Sequence, residues 1–272
     1  MITSTFSYYF SHIDDVDGWL DKTTAIISNR LMQHQSAVGL TGPVCGIGVH
    51  HGKYFVALAC GLRPNEKGIA IDLFANRQED IGHSGLGDRG MFDRNVARFL
   101  YPPSITVISA ASTELSADDF SRHGAIRFFS VNGRHNEAIT LSNLHLAERS
   151  IATGGIVALD GILHPGWTGV ISGYVRYRQA GGRLDAFALG ANKLLLTDEG
   201  SAASYKSFMR RQFIRFAGQR DMEFIGDIVD LYVPAAPSSR LGFGPLSWIR
   251  AKLGGKSGNR FAIDGASGFR SA

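Results

Sequence analysis

Two features of the sequence carry chemistry at a readable spacing. The first is the stretch Gly46-Ile47-Gly48-Val49-His50-His51-Gly52, which continues the apolar run beginning at Val44. Glycines at the end of a strand let backbone approach a ligand and leave N–H groups at the start of a helix. The second is Asp72, which ends the run Gly68-Ile69-Ala70-Ile71 and stands 24 residues after Gly48. A carboxylate so placed can accept both hydroxyls of a ribose. Glycine loop and spaced acid together point to a nucleotide-like cofactor and no further. His50 and His51 follow the loop and read as first-turn or surface residues. Cys45 lies on a buried strand and reads as core, not as a nucleophile. With Cys60 it makes two cysteines, too few for a disulfide scaffold or a multi-cysteine metal site.

These residues need a sheet to hold them. Residues 44–49, 68–74, 105–110, 125–131 and 156–160 read as strands, each short, apolar and bounded by turn signals. Between and after them, 53–60, 88–100, 117–123, 136–150 and 168–179 read as helices, with Pro102-Pro103 stopping the second and Gly154-Gly155 ending the fourth. Two further β-rich runs, 184–189 and 193–197, are separated only by Gly190-Ala191-Asn192. That gap is too short for a crossover helix and demands an antiparallel hairpin. The fold class is therefore α/β: a seven-stranded, mostly parallel sheet covered on both faces, with an antiparallel terminal hairpin. Its ligand site belongs at the carboxyl ends of the strands. Around the core of 41–200, residues 1–40 read as a helical lead-in. Residues 201–235 read as an extension with a helix over 205–216 and a strand over 228–233, and 236–272 as a basic Gly/Ser-rich tail.

Composition narrows the function. The chain has 272 residues, 44% hydrophobic and 19% charged, enough to bury a core and too apolar for a disordered chain. No apolar run reaches the roughly 20 residues that span a bilayer, which excludes an integral membrane protein. Of the net charge of +4, the tail supplies more than all, with Arg240, Arg250, Lys252, Lys256, Arg260 and Arg270 against Asp264 alone. The body is close to neutral, so no nucleic-acid partner is expected. The tail is read as solvated, with loose contact to a membrane surface or other polyanion as the alternative, since Leu246, Ile249 and Leu253 could share a helix face. Asp14, Asp15 and Asp17 stand where a secretory signal would be basic and then apolar, so a cytoplasmic location is expected.

Six segments extend the pattern of loop and acid. They are 44–52 itself, Ala70-Ile71-Asp72-Leu73-Phe74, His83-Ser84-Gly85-Leu86-Gly87-Asp88-Arg89, Phe128-Phe129-Ser130-Val131-Asn132-Gly133-Arg134-His135, Gly154-Gly155-Ile156-Val157-Ala158-Leu159-Asp160, and Pro165-Gly166-Trp167-Thr168-Gly169-Val170. With the reversed strand pair behind them, they resemble the bacterial class I S-adenosylmethionine-dependent methyltransferases grouped as methyltransferase family 24. The resemblance runs from Gly42 to Asp198. It implies a Rossmann-like fold, an enzyme, and S-adenosylmethionine as cofactor. It implies that Ile47, Gly48 and Gly52 pass under the methionine part with Gly46 also at the cofactor, that Asp72 holds the ribose and Leu73 the adenine, and that Ser112 lies near the adenine. Asn132 and His135 would face the sulfonium and the acceptor, a small molecule or glycan methylated on oxygen.

The chain departs from that family at three acids. Gly46 stands where the first motif usually has Glu, Asn132 where the fourth-strand motif has Asp, and Gly161 where the fifth strand has a second acid. In metal-dependent relatives the last two positions hold a divalent cation. Asp160 and the Asn132 amide are a thin set for magnesium, and His135 and His164 are poor ligands for it, so no divalent metal is expected. His135 is then the candidate base, since imidazole takes a proton near neutral pH; alternatively it caps or orients the helix over 136–150. Asp160 is a second candidate catalytic residue, orienting an imidazole or binding the acceptor, or else a strand-end carboxylate bonded to backbone. Trp167 and Pro165 either wall the acceptor pocket or pack their loop. Two other functions compete: a non-catalytic cofactor binder, motivated by the missing acids, and a nicotinamide-dependent oxidoreductase. The hairpin and the lack of a Tyr-x-x-x-Lys pair (Tyr174 is followed by Arg178) disfavour the second. A hydrolase is disfavoured by the absence of a Gly-x-Ser-x-Gly elbow.

Overall fold

Strand β1 (Val44–Ile47) is apolar at every position because both of its faces are covered. Val44 packs into one core, while Cys45 and Ile47 pack into another on the opposite face. The same alternation runs through β4 (Ile126–Val131), where Phe128 faces one core and Phe129 the other. The computed structural model describes residues 4–74, 87–100, 105–214 and 217–233, all within one compact unit. The expected stop at Pro102-Pro103, the basic tail and most of the 83–89 loop lie outside the described residues.

The other elements are α1 (Ser4–Ser11), α2 (Lys22–Ala37), α3 (Lys53–Ala59), β2 (Gly68–Ile71), α4 (Arg89–Phe99), β3 (Ile105–Ile108), α5 (Asp118–Ser121), α6 (Glu137–Ser150), β5 (Ile151–Asp160), α7 (Thr168–Gln179), β6 (Leu184–Gly190), β7 (Lys193–Asp198), α8 (Ala202–Gln212), β8 (Ala217–Phe224) and β9 (Asp227–Tyr232). Side-chain caps fix several helix starts: Asp21 accepts from Thr24 N–H on α2, Asp88 from Met91 N–H on α4, and Asn136 from Ile139 N–H on α6. Asn136, not His135, therefore caps α6. Among the described residues, no helix is long and apolar enough to cross a membrane.

The strands form one sheet in the order β3-β2-β1-β4-β5-β7-β6-β9-β8. From β3 to β5 all neighbours are parallel, β7 is antiparallel to both β5 and β6, and β9 joins β6 in parallel. The expected hairpin with its Gly190-Ala191-Asn192 turn is present. The sheet nevertheless has nine strands where seven were expected. The 201–235 extension holds a hairpin, β8 with β9, in place of one closing strand. β8 reads Ala-Gly-Gln-Arg-Asp-Met-Glu-Phe, too polar to announce itself, and its apolar contribution is confined to Met222 and Phe224. β5 also begins five residues earlier than expected. Gly154, at φ +77°, bends the strand without ending it.

One buried cation ties the lead-in helices to the sheet. Arg127 on β4 is fully buried, and all five of its N–H donors are used. They reach the carbonyls of Gly42, Met32 and Gly61, Gln35 Oε1, and Glu66 Oε2 at 2.7 Å. Gln35 on α2 donates back to the Arg127 carbonyl and to the Tyr205 hydroxyl on α8. Burial alone would raise the Glu66 carboxyl. Hydrogen bonds from Arg63 and the Arg127 charge outweigh it and hold Glu66 below the usual carboxylate range.

Candidate functional site

The chain visits β1, β2 and β3 in one direction and then returns to β4 on the other side of β1. This is the switch point where an open α/β sheet leaves a crevice. Strand register determines what lines it. Ile47 pairs with Ile71 on one side and with Val131 on the other, and Val131 pairs with Leu159. The next residue of each strand is thus Asp72, Gly48, Asn132 or Asp160, and these four stand in one row. Asp160 pairs in turn with Lys193 on β7, which adds an ammonium to the end of the row.

A cavity of about 180 Å³ opens over this row. Of the residues expected at a site, Gly46, Ile47, Gly48, Asp72, Leu73, Ser112, Asn132, His135 and Asp160 all line it, and so does Trp167. Gly52 does not. Its φ of +90° starts α3, and a side chain there would press on Phe92. Gly48 is needed for a related reason: at φ +71°, a Cβ would collide with the Asn132 carbonyl on the adjacent strand. The neighbouring chain therefore dictates both glycines. Gly48 still leaves bare backbone as part of the cavity wall.

The Asp72 carboxylate is fixed by main chain. Oδ2 accepts His50 N–H at 2.7 Å and Oδ1 accepts Phe74 N–H at 2.9 Å, leaving each oxygen a further lone pair. His50 itself sits at φ +50° and lines the cavity with a buried Nδ1 that has no hydrogen-bond partner. Burial, then the neighbouring His51, pushes its imidazole below the ordinary value.

At the other end of the row, His135 lies flat on Trp167, centroids 3.5 Å apart and planes within 1°. His164 stacks on the same indole at 3.8 Å. Gly161 makes room for this stack: its φ is +81°, and a Cβ would lie 2.9 Å from Trp167 and 3.3 Å from His135. A side chain at 161 would therefore crowd the stack. His135 Nε2 is 3.4 Å from Asn132 Oδ1, and its buried Nδ1 has no partner. Burial brings the His135 pKa down to about 4, with Asp160 opposing and His164 and Lys193 reinforcing the fall. The imidazole is neutral at physiological pH.

Asp160 is neither hydrogen-bonded to that imidazole nor tied to backbone. Its Oδ1 receives Lys193 Nζ at 2.5 Å, both residues are buried, and the ammonium also lies 4.2 Å from the Tyr54 ring centroid. Lys193 escaped the sequence reading because a lysine after a tight turn looks like an exposed hairpin residue. Its signal is the pairing register, which can be counted only once β5 and β7 are known to be neighbours. Asp17, Gly18 and Trp19 were missed as well. They belong to the lead-in yet line the cavity, with Trp19 64% exposed and 6.0 Å from the His50 ring.

The donor set does not fit a divalent cation. Asp160 is committed to Lys193, Asn132 offers a neutral amide and Gly161 offers no side chain. Among the described residues, no group of three or more His, Cys, Asp or Glu could hold a metal ion. The row does fit a polar nucleoside: an oriented carboxylate at one end, bare backbone beside it, and partnerless nitrogens of His50 and His135 in residues that line the same cavity.

Comparison with known proteins agrees with this architecture. Residues 45–162 match a family model described as a methyltransferase domain, methyltransferase family 24. No curated protein matches the sequence. Among solved structures, the O-methyltransferase of Bacillus cereus, determined in complex with SAH, superposes with a TM-score of 0.52 at 14% identity, covering 71% of this chain and 90% of that one. The O-methyltransferase NovP gives 0.52 at 12% identity, covering 64% and 80%. The calicheamicin methyltransferase CalS11 gives 0.50 at 13%, covering 71% and 91%. At such identities the likeness is one of fold, and the fold is the Rossmann-like class I methyltransferase fold.

Proposed function

We propose that this protein binds S-adenosylmethionine over the row Asp72–Gly48–Asn132–Asp160 and transfers its methyl group to an oxygen of a small-molecule or glycan-type acceptor. The observation that carries the reading is the single cavity that joins an oriented carboxylate, a glycine floor and a neutral imidazole at the switch point of the sheet. When bound, the cofactor supplies an electrophilic methyl carbon on a sulfonium. Asp72 accepts the ribose hydroxyls with the lone pairs its backbone bonds leave free, and Leu73 packs against the adenine, with Ser112 close by. Backbone at Gly46 and Gly48 lies under the methionine portion.

Asn132, Trp167 and Asp160 hold the acceptor end, and alignment of the acceptor oxygen is their main contribution. His135 receives the hydroxyl proton. A base whose pKa is about 4 is weak, but the proton becomes strongly acidic as the new C–O bond forms, so a neutral, correctly placed nitrogen suffices. The Trp167 stack fixes the ring plane.

The test is calorimetric titration with S-adenosylmethionine and S-adenosylhomocysteine. Heat with a one-to-one endpoint is expected, and silence at high protein concentration removes the proposal. A second reading, cofactor binding without catalysis, draws support from the Asp160–Lys193 pair, which takes a carboxylate out of play. Release of S-adenosylhomocysteine across an acceptor panel excludes it.

A further inference from the structure

Two cations at the cavity stand outside its ion pairs. Asp160 is paired with Lys193, Asp72 accepts two backbone N–H bonds, and Asp17 lies 3.4 Å from His51. Lys53 and Arg134 also line the cavity, and among the described residues neither is in an ion pair. Arg134 directly precedes His135 on the loop between β4 and α6. Its Nη2 is buried and has no hydrogen-bond partner.

A guanidinium N–H withdrawn from water without an acceptor is costly, unlike an exposed arginine that water satisfies. The cost is removed when a ligand supplies the acceptor. The planar fork of arginine matches the oxygens of carboxylate and phosphate. Nearby, the Asp160–Lys193 pair is internally neutral and His135 is uncharged, so the charge of Arg134 is not offset at that end.

We infer that Arg134 binds an anionic group, phosphate or carboxylate, carried by the acceptor beside the oxygen that His135 serves. This rests on the methyl-transfer reading of the site. It makes Arg134 a specificity residue that selects acidic acceptors over neutral ones.

The experiment uses the full chain saturated with S-adenosylhomocysteine, titrated calorimetrically with inorganic phosphate, with D-glucuronate and with D-glucose. The expected result is binding of phosphate or glucuronate but not of glucose. Arg134→Gln should weaken that binding about tenfold or more, the scale of one charge-assisted hydrogen bond lost. Arg134→Lys should retain part of it, and both variants should melt no lower than the wild type and keep its S-adenosylhomocysteine affinity. Absence of anion binding in the wild type, or equal binding by Arg134→Gln, overturns the inference. So does weaker S-adenosylhomocysteine binding by Arg134→Gln, which would make the cofactor's own carboxylate the anion. If the wild type fails to bind S-adenosylhomocysteine at all, the methyl-transfer reading fails, and the acceptor assignment goes with it.

Discussion

Replacing Lys193 by methionine isolates the least expected feature of the site. Lys193 is 4% exposed, its Nζ lies 2.5 Å from Asp160 Oδ1, and it faces the Tyr54 ring at 4.2 Å. Methionine keeps the length and apolar bulk of the stem, so little cavity is created. It removes the charge that compensates a buried carboxylate. Breaking a buried pair from one side typically costs about 3–5 kcal/mol, because the remaining charge keeps its desolvation penalty. At roughly 2–4 °C per kcal/mol for a domain of this size, the melting temperature should fall by about 10 °C. The assay is guanidinium unfolding of the wild type, Lys193→Met, Asp160→Asn and the double variant. In the double variant the orphaned charge is gone, and stability should recover to within about 1–2 kcal/mol of wild type, as replaced ion pairs often do. A second readout is the His135 imidazole. Lys193 depresses its pKa while Asp160 raises it, so Lys193→Met should move the His135 titration upward from about 4. A single variant that loses less than about 1 kcal/mol, with no coupling in the cycle, would refute the buried pair as described.

Four further outcomes can be checked. Asp72→Ala should weaken S-adenosylhomocysteine binding by about 1–3 kcal/mol in calorimetry, the scale of lost charge-assisted hydrogen bonds; an unchanged dissociation constant would show that the carboxylate holds no ribose. With His135 as base, the acidic limb of the turnover–pH profile should fall near pH 4, well below 6.5, since burial holds the ring neutral down to there; His135→Ala should lower turnover and leave cofactor affinity alone. Glu66, held below its ordinary value of 4.5, lends stability that is present above that value and lost as pH falls through the folded pKa; the loss of unfolding free energy as pH falls below 4.5 should be shallower in Glu66→Gln. Gly161→Asp restores a family acid but forces a side chain into φ +81° and against Trp167; it should destabilise the protein by about 1–3 kcal/mol and gain no magnesium-dependent stabilisation in thermal melts.

The sequence made the sheet legible where local signals agree. β1, β2 and β4 are short apolar runs between turn residues, and the gap at Gly190-Ala191-Asn192 leaves no alternative to a hairpin. Nine of ten expected site residues reached one cavity because each stands at a strand end or just beyond, and strand ends of a parallel sheet share one edge. What stayed hidden depends on pairing. Lys193 joins Asp160 only through antiparallel register across 33 residues. The rim at Asp17–Trp19 depends on where the lead-in crosses the sheet, and β8 is a polar strand supported by its partner β9 more than by its own composition. The glycine loop carries a second constraint. Gly48 lines the cavity, yet at both Gly48 and Gly52 a side chain would also meet adjacent protein atoms, which the sequence alone does not show.

Two of the three departures, at Asn132 and Gly161, form one physical exchange with Lys193. Asn132 and Gly161 remove two carboxylates from the end of the row, and Lys193 neutralises the one that stays. A cluster of acids would attract a divalent cation and raise a nearby imidazole's pKa; the neutral pair does neither, and burial brings the His135 pKa down to about 4. Trp167 fills the space that a side chain at 161 would occupy and gives His135 a flat wall. A metal-binding site needs negative charge in excess, whereas at this end of the row the remaining carboxylate is paired with Lys193 and Arg134 is in no ion pair. On the methyl-transfer reading proposed above, electrostatics at this end favours an anionic acceptor over a bound cation, with the weak, preoriented His135 nitrogen as the proposed receiver of its proton.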